Sequence, residues 1–356
     1  MSRHRAFLVV TPGLEQVAVD ELRALGVGGR TTRTRGGVEV DLTTRQLYAA
    51  HRQCRVPTRV LVRLATDTCR RFDELERLIT SIDWSRYLPD GEPVAVHAAS
   101  QSSALYHEGA IVERVVAALG RPIDDGGQRI HLRLSRDKAT VSIDATGESL
   151  HRRGWRTAAH AAPLRATIAA AMLRVSGYDG SQPLIDPMTG SGTIAIEAAS
   201  IALRRPIDRP FAFRQWPSFE PGTWASVCAP VAAATADTAP ITAADRDAGA
   251  VATAREHAAA AGVTDAIGFQ HAALGAQRWP ESSGLVVCNP PYGHRLGDAS
   301  ALRDLYATLG RRVADGGHRL CVLVADDRLA VATGLTFHER FATSNGGIAV
   351  RCLVSA

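Results

Sequence analysis

The sequence lacks several features that would place it in a specialised class of protein. Its six cysteines form no Cys-x-x-Cys pair, which disfavours structural zinc and a disulfide framework and favours the reducing cytoplasm. No apolar run reaches the roughly 18 residues of a membrane span, and the polar start predicts no signal peptide. The 356 residues, 46% of them hydrophobic and 22% charged, are therefore expected to fold into two or three globular units without a membrane partner.

Lysine is almost absent, because Lys138 is the only lysine among 41 basic residues. The net charge of +5 lies in residues 1–160, which hold 24 basic and 19 acidic residues, whereas residues 161–356 hold 17 of each. Arginine suits bidentate contact with phosphate, so a basic half indicates a nucleic-acid surface. Arginine usage also follows genome composition and the excess is small, so charge alone leaves this interpretation open.

The order of apolar patterns predicts an N-terminal half made of two small α+β units. Strands and helices alternate over residues 1–66 in the order of a ferredoxin-like layer. Residues 67–150 continue with two predicted helices and three predicted strands. The polar, basic segment 151–165 is interpreted as a linker.

Residues 166–356 have the pattern of an α/β domain. Predicted strands alternate with predicted helices at a spacing typical of a parallel, doubly wound, Rossmann-like sheet. Residues 204–240 interrupt this alternation with six prolines and two tryptophans, which is typical of an insertion.

A glycine turn opens this domain at residues 186–193, Asp-Pro-Met-Thr-Gly-Ser-Gly-Thr. Gly190 and Gly192 fit G-x-G-x-x-[G/A] between a strand and a helix, where backbone and helix N-terminus can approach a ligand. Asp186 ends the strand before the turn, and Asp245 ends the next strand, where a carboxylate can accept ribose hydroxyls. The glycines could instead form a turn with no ligand, and Asp245 could instead cap the following helix. Asp247 is the better candidate for that cap.

A nicotinamide cofactor is a rival interpretation of the same turn. Its acidic residue usually lies about 20 residues beyond the glycines, whereas Asp245 lies 53 beyond Gly192. The predicted insertion could account for that distance, so spacing alone leaves this rival open.

A second motif, Asn-Pro-Pro-Tyr at residues 289–292, follows the apolar run 284–288. The exocyclic amine of a nucleobase is a poor nucleophile because its lone pair is conjugated into the ring. The Asn289 oxygen and the Pro290 carbonyl could accept its two N–H bonds and stabilise the positive charge that grows on nitrogen. Tyr292 could stack on the base. The motif is also a common turn, but its position after a buried strand favours a substrate site.

The two motifs together resemble those of the S-adenosylmethionine-dependent amino-group methyltransferases. Residues 151–156, 162–167 and 197–199 resemble a narrower group, the THUMP-domain RNA guanine-N2 methyltransferases. This group includes an RlmL type that acts on 23S ribosomal RNA and a TrmN type that acts on tRNA. The resemblance covers nearly the whole chain and implies a ferredoxin-like layer (1–66), a THUMP domain (67–150) and a methyltransferase domain (166–356).

The resemblance implies S-adenosylmethionine as cofactor, S-adenosylhomocysteine as product and structured RNA as partner, with no metal and no obligatory protein partner. The residues it assigns to cofactor binding are Asp186, Pro187, Thr189, Gly190, Ser191, Gly192, Thr193, Asp245 and Arg246. The residues it assigns to the reacting base are Asn289, Pro290, Pro291 and Tyr292. Relatives often have an adenine-contacting aspartate where this chain has Ala272 and Ala273, so His271 is a candidate substitute.

The leading hypothesis is methyl transfer to the N2 amine of a guanosine in structured RNA. The RlmL type is favoured over the TrmN type because residues 211–224 and 344–346 look more like it. Methylation of a protein glutamine or of DNA adenine uses similar asparagine-proline motifs and is the enzymatic alternative. An RNA-binding protein with a degenerate cofactor site, suggested by Ala272 and Ala273, is the non-enzymatic alternative.

Overall fold

A computed structural model of the chain describes residues 2–156, 164–229, 238–291 and 299–356. The helices in these ranges are α1 (Glu15–Ala24), α2 (Thr44–Gln53), α3 (Phe72–Thr80), α4 (Glu108–Leu119), α5 (Ala166–Val175), α6 (Thr193–Ala202), α7 (Pro221–Cys228), α8 (Ala248–Ala260), α9 (Ala299–Asp315) and α10 (Asp327–Ala332). The strands are β1 (Arg3–Val9), β2 (Thr31–Thr34), β3 (Gly37–Thr43), β4 (Arg59–Thr68), β5 (Val94–Gln101), β6 (Gln128–Ser135), β7 (Lys138–Asp144), β8 (Leu184–Asp186), β9 (Ile241–Asp245), β10 (Ile267–His271), β11 (Leu285–Cys288), β12 (Arg319–Val324), β13 (Phe337–Asn345) and β14 (Ile348–Ser355).

The chain divides into two compact units, each made of several stretches of sequence. The first comprises Met1–Val10, Leu22–Leu150 and Asp208–Ala229. The second comprises Thr11–Glu21, His151–Ile207 and Pro230–Ala356. The domain boundaries expected at residues 66, 150 and 165 stay predictions.

The first unit is built on one seven-stranded sheet with the order β2-β3-β1-β4-β7-β6-β5. Neighbouring strands of this sheet run antiparallel, except that β5 and β6 run parallel to each other. The predicted ferredoxin-like layer ends with β4, and β4 pairs with β7 of the following region. The two small units expected from the sequence therefore share one continuous sheet.

Helix α2 shows why part of the proline-rich segment belongs to this first unit. Thr43 caps α2 in a reciprocal capping box with Gln46. The helix presents the rings of Tyr48 and His51, and Phe213 stacks on Tyr48 with ring centroids 4.5 Å apart. Burial lowers the pKa of His51 to about 4, so this histidine is a neutral core residue. The aromatic residues of 208–229 thus pack against α2 in the core of the first unit.

The second unit is a seven-stranded sheet with the order β10-β9-β8-β11-β12-β14-β13. The first five strands in this order run parallel, and β14 is antiparallel to β12 and to β13. Strands β11 and β12 are almost entirely buried, which their continuous apolar runs predict for a parallel sheet. The α/β doubly wound fold class is confirmed.

Strand β8 is the point at which the strand order reverses. Its neighbours are β9 on one side and β11 on the other, and all three run parallel. Ligands of doubly wound folds bind at such a switch point, outside the carboxyl ends of the strands. Both predicted motifs follow strands of this trio.

No helix in the described ranges is long and apolar enough to cross a membrane. Within the same ranges, no group of three or more histidine, cysteine or acidic side chains is arranged to hold a metal ion.

Candidate cofactor and substrate site

The glycine turn connects β8 to α6 in the second unit. Gly190 and Gly192 have φ angles of +51° and +83°, a region that residues with a side chain disfavour. A Cβ on Gly192 would lie 3.0 Å from the Ala254 Cβ, so glycine also lets α8 approach the turn. A Cβ on Gly190 would meet no atom within 4 Å in the described chain, which leaves open space on that side. The turn therefore has the local geometry of a ligand cradle.

Asp186, the last residue of β8, is a buried carboxylate with one unsatisfied oxygen. Its Oδ2 accepts a hydrogen bond of 2.8 Å from the Thr189 hydroxyl. Its Oδ1 finds no partner among the described residues. Burial raises the pKa of Asp186, the hydrogen bond from Thr189 lowers it and the nearby Asp245 carboxylate raises it, and together they bring the pKa to about 7. An ammonium group would satisfy Oδ1 and favour the ionised form, so this position fits the amino-acid end of S-adenosylmethionine.

Asp245 ties the end of β9 to the turn. Its Oδ2 accepts the N–H of Gly190 at 2.9 Å, and its Oδ1 accepts the N–H of Asp247 at 3.0 Å. The side chain that caps α8 is Asp247, which accepts from Gly249 and Ala250. The capping alternative for Asp245 is therefore wrong. Because a carboxylate offers about four acceptor positions, Asp245 keeps capacity for ribose hydroxyls.

The residues beside Asp245 form the predicted adenine side of the cradle. His271 pairs with Asp245 in the β9–β10 register, and its Nε2 lies 3.2 Å from the carbonyl oxygen of Arg246. Ala272 donates its N–H to the Asp245 carbonyl. His271 is exposed next to the small side chains of Ala272 and Ala273, and its role as a substitute for the aspartate stays a prediction.

The reacting-base motif begins at the end of β11. Parallel pairing of Leu285 with Leu184 and of Val286 with Ile185 carries Asn289 to the same sheet edge as Asp186. The Oδ1 atom of Asn289 is buried and has no hydrogen-bond partner in the described chain. A buried amide oxygen without a partner costs about 1–3 kcal/mol, which a ligand N–H would recover.

The structure describes only the first two residues of the loop after Asn289. Pro290 is buried and Pro291 is half-buried, so the start of the predicted loop is held in place. Tyr292, predicted to stack on the base, lies outside the described residues, as do residues 293–298 of the following loop.

The segment interpreted as a linker supports the glycine turn instead of only joining the two units. Arg153 forms a bidentate pair with Glu197 of α6, with N–O distances of 2.9 and 3.3 Å and both side chains almost fully buried. Arg156 donates to the Thr193 hydroxyl at 2.9 Å. Glu197 is the only charged residue of α6, so its burial requires a cation such as Arg153. A single glutamate in an otherwise apolar helix can be recognised in the sequence.

Two further side chains hold the turn, and sequence reasoning did not identify them. His257 of α8 lies against the ring of Trp155, and its Nδ1 is 3.0 Å from the Ser191 carbonyl oxygen. Because a carbonyl only accepts, Nδ1 carries the proton. Gln277 donates from Nε2 to the Pro187 carbonyl at 2.9 Å. Neither residue lies in a recognisable motif, so no sequence pattern marks them.

Two parts of the chain match known families. Residues 153–348 match the RMKL-like, methyltransferase domain. Residues 5–61 match the RlmL ferredoxin-like domain. The second match confirms the ferredoxin-like layer predicted at the start of the chain.

Curated relatives include proteins named ribosomal RNA large subunit methyltransferase K/L. The one from Vibrio cholerae is 33% identical over 371 residues, which cover 96% of this chain and 52% of the relative. The one from Syntrophotalea carbinolica is 32% identical over 376 residues, with 98% and 53% covered. The chain thus spans about half the length of these relatives.

Solved structures match the whole chain. One is SMU.472, a methyltransferase candidate complexed with SAH, with TM-score 0.89, 27% identity and 100% and 98% of the two chains covered. Another is a possible methylase from Clostridium difficile 630, with TM-score 0.90, 26% identity and 99% and 98% covered. TrmN from Thermus thermophilus, with TM-score 0.77, 23% identity and 99% of each chain covered, shares the fold. The prediction of S-adenosylmethionine as cofactor is confirmed, whereas the individual site residues stay predictions.

Proposed function

Because the chain belongs to the RMKL-like methyltransferase family, we propose that it methylates the exocyclic N2 amine of a guanosine in large-subunit ribosomal RNA. The names of the curated relatives support ribosomal RNA as the substrate class. The observation that carries the proposal is the buried Oδ1 of Asn289, which has no hydrogen-bond partner among the described residues and lies at the sheet edge that also holds the glycine turn.

The residues around the turn would hold S-adenosylmethionine, which supplies a methyl group on a positively charged sulfur. Asp186 would pair with its amino group, because one carboxylate oxygen is buried without a hydrogen-bond partner among the described residues. Gly190 and Gly192 would let the cofactor approach the backbone. Asp245 would accept the ribose hydroxyls, and Arg246 and His271 would flank the adenine.

Asn289 and Pro290 would prepare the amine for attack on the methyl group. The amide oxygen and the Pro290 carbonyl accept the two N–H bonds and stabilise the charge that develops on nitrogen. No strong base is needed before attack, because the nitrogen becomes acidic only once methylated. Burial raises the pKa of the Cys288 thiol, so this neighbour remains a neutral thiol and does not compete as a nucleophile.

The test compares wild type with Asn289→Ala on ribosomal RNA from cells lacking this protein, followed by mass spectrometry of the nucleosides. Wild type is expected to produce N2-methylguanosine. Loss of one oxyanion-hole donor lowers kcat by about 10²–10³-fold, and we expect a loss of similar size in Asn289→Ala, while S-adenosylmethionine affinity, measured by calorimetry, should be unchanged. Asn345→Ala removes the other asparagine of the chain, which is buried on β13 of the second unit, and is the control, with activity retained.

Three results would contradict the proposal. Asn289→Ala could methylate as fast as wild type, which would remove the assigned role of the amide. The product could be N6-methyladenosine, which would move the specificity to another base. Methyl groups could enter protein or DNA and not RNA, which would establish one of the alternative substrates.

A further inference from the structure

A cleft of about 590 Å³ lies in the first unit between β1, β4 and the residues that follow α3. Four arginines line it, Arg3, Arg5, Arg63 and Arg86, against one acidic residue, Asp83. Its volume falls in the range of about 300–1,000 Å³ that binds small molecules, so a nucleotide unit fits inside. The residues assigned to methyl transfer all belong to the second unit.

The positive charge of the cleft is only partly neutralised. Glu39 pairs with both Arg5 and Arg63, so one carboxylate serves two guanidinium groups. Arg3 and Arg86 are exposed and form no ion pair with a carboxylate in the part of the chain that the structure describes. Each guanidinium has five N–H donors, so the four arginines retain many donors for an incoming anion.

Arg63 is held rigidly at the wall of the cleft. Its guanidinium lies 4.4 Å from the centroid of the Phe7 ring and 3.0 Å from Glu39. Burial lowers the pKa of Arg63, which the nearby Arg5 and Arg133 lower further while Glu39 raises it. Like charges held this close favour an anion that neutralises several of them together.

A polar row continues from Arg63 across the same sheet. In the strand register Arg63 pairs with Ser142, Ser142 with His131, and His131 with His97. The rings of His97 and His131 stack with centroids 5.3 Å apart, and His97 is exposed. Imidazole rings are among the surfaces on which unstacked RNA bases lie.

We propose that this cleft binds consecutive phosphates of a single-stranded segment of the RNA substrate. This inference rests on the proposed function, because it takes RNA as the substrate. Arginine forks bind phosphate oxygens in pairs, and the exposed imidazole beyond the cleft suits a base on the same strand. An acidic protein segment could also bind the arginines through its carboxylates, but it has no bases to stack on the imidazole rings of the polar row. The polar row therefore favours RNA.

The test uses a fluorescein-labelled 20-nucleotide RNA of mixed sequence and the full-length chain. Arg3→Ala/Arg86→Ala removes two guanidinium groups that have no carboxylate partner among the described residues, and Arg30→Ala/Arg35→Ala removes the same charge from exposed positions that do not line the cleft. With about 0.7 counterions released per single-strand phosphate contact, the cleft variant should reduce the slope of log affinity against log salt by about 1.4. Its affinity at low salt should fall about tenfold, whereas the control should bind like wild type.

The outcomes separate this inference from the proposed function. Equal losses in both double variants would mean general charge attraction and overturn the cleft, as would preferential displacement of the RNA by a polyglutamate peptide. If ribosomal RNA is methylated but the cleft variant binds like wild type, the cleft proposal alone fails. If wild type methylates no RNA and the cleft variant still loses RNA affinity selectively, the methyl-transfer proposal alone fails. A urea-unfolding midpoint and a circular-dichroism spectrum like those of wild type confirm that the variant is folded.

Discussion

Asp186 and Asn289 each bury an oxygen that has no partner in the described chain. Each such atom costs about 1–3 kcal/mol, so together they lower the stability of the second unit. The two oxygens require different donors. Asp186, next to Asp245, is best satisfied by a cation, whereas the neutral amide of Asn289 is satisfied by an N–H group. A cationic cofactor and an amine-bearing base meet these two requirements.

The raised pKa of Asp186 predicts a pH dependence of stability without cofactor. Because the folded-state pKa of about 7 lies above the unfolded-state value, folding stabilises the protonated form. This stabilisation is complete below pH about 4 and is lost as the pH rises through about 7, by up to about 4 kcal/mol. Urea unfolding at pH 5, 6.5 and 8 should show a steeper loss in wild type than in Asp186→Asn.

An exposed aspartate of the same unit provides the control. Asp304→Asn removes a carboxylate on α9 and should leave the pH profile of wild type unchanged. Identical profiles for wild type and Asp186→Asn would show that Asp186 does not titrate in this range.

Among the secondary-structure elements, those with an apolar period were predictable. The alanine-rich run at residues 166–175 predicts a helix at the residues where α5 occurs, because alanine favours the helix. Strand β2 was missed because Thr31–Thr34 is polar, mostly exposed and lies at the sheet edge. Backbone pairing with β3 defines this strand, and no side-chain pattern reports that pairing.

The placement of residues 208–229 could not be predicted from local pattern. Prolines and tryptophans indicated an insertion, yet its core contacts are with Tyr48 and His51, more than 150 residues earlier in the chain. The candidate site likewise contains residues that the local sequence pattern predicts and residues that it does not. The strand-turn-helix pattern places Asp186 and the glycines, whereas the supporting His257 and Gln277 depend on long-range packing.

The contact between Arg153 and α6 predicts a specific pattern of stability. Arg153→Ala would leave the buried Glu197 without its bidentate partner and should cost about 3–5 kcal/mol. Arg153→Met/Glu197→Leu removes both charges and keeps the volume, so it should be less destabilised than Arg153→Ala alone. Urea unfolding of the single and double variants provides the measurement.

A neighbouring arginine serves as the matched control for this element. Arg152→Ala changes an exposed side chain one position away and should cost less than about 1 kcal/mol. A double variant that loses as much stability as the sum of its single variants would show that the two charges act independently.

At the scale of the whole molecule, the chain passes between its two compact units five times, after residues 10, 21, 150, 207 and 229. Each unit nevertheless has its own seven-stranded sheet and its own buried core. The predicted cofactor residues lie in the second unit and the arginine cleft lies in the first. The two ligands should therefore stabilise different parts of the chain.

Hydrogen exchange followed by mass spectrometry tests this separation. S-adenosylhomocysteine at 100 times its Kd should stabilise the unit that binds it by about 2.7 kcal/mol. We expect slower exchange in peptides containing Asp186–Thr193 and Asp245, and little change around Arg3, Arg63 and Arg86. The 20-nucleotide RNA should produce the opposite pattern. Asp186→Ala should abolish the effect of S-adenosylhomocysteine and leave the effect of RNA intact, whereas protection of both units by S-adenosylhomocysteine would mean that the two units respond as one.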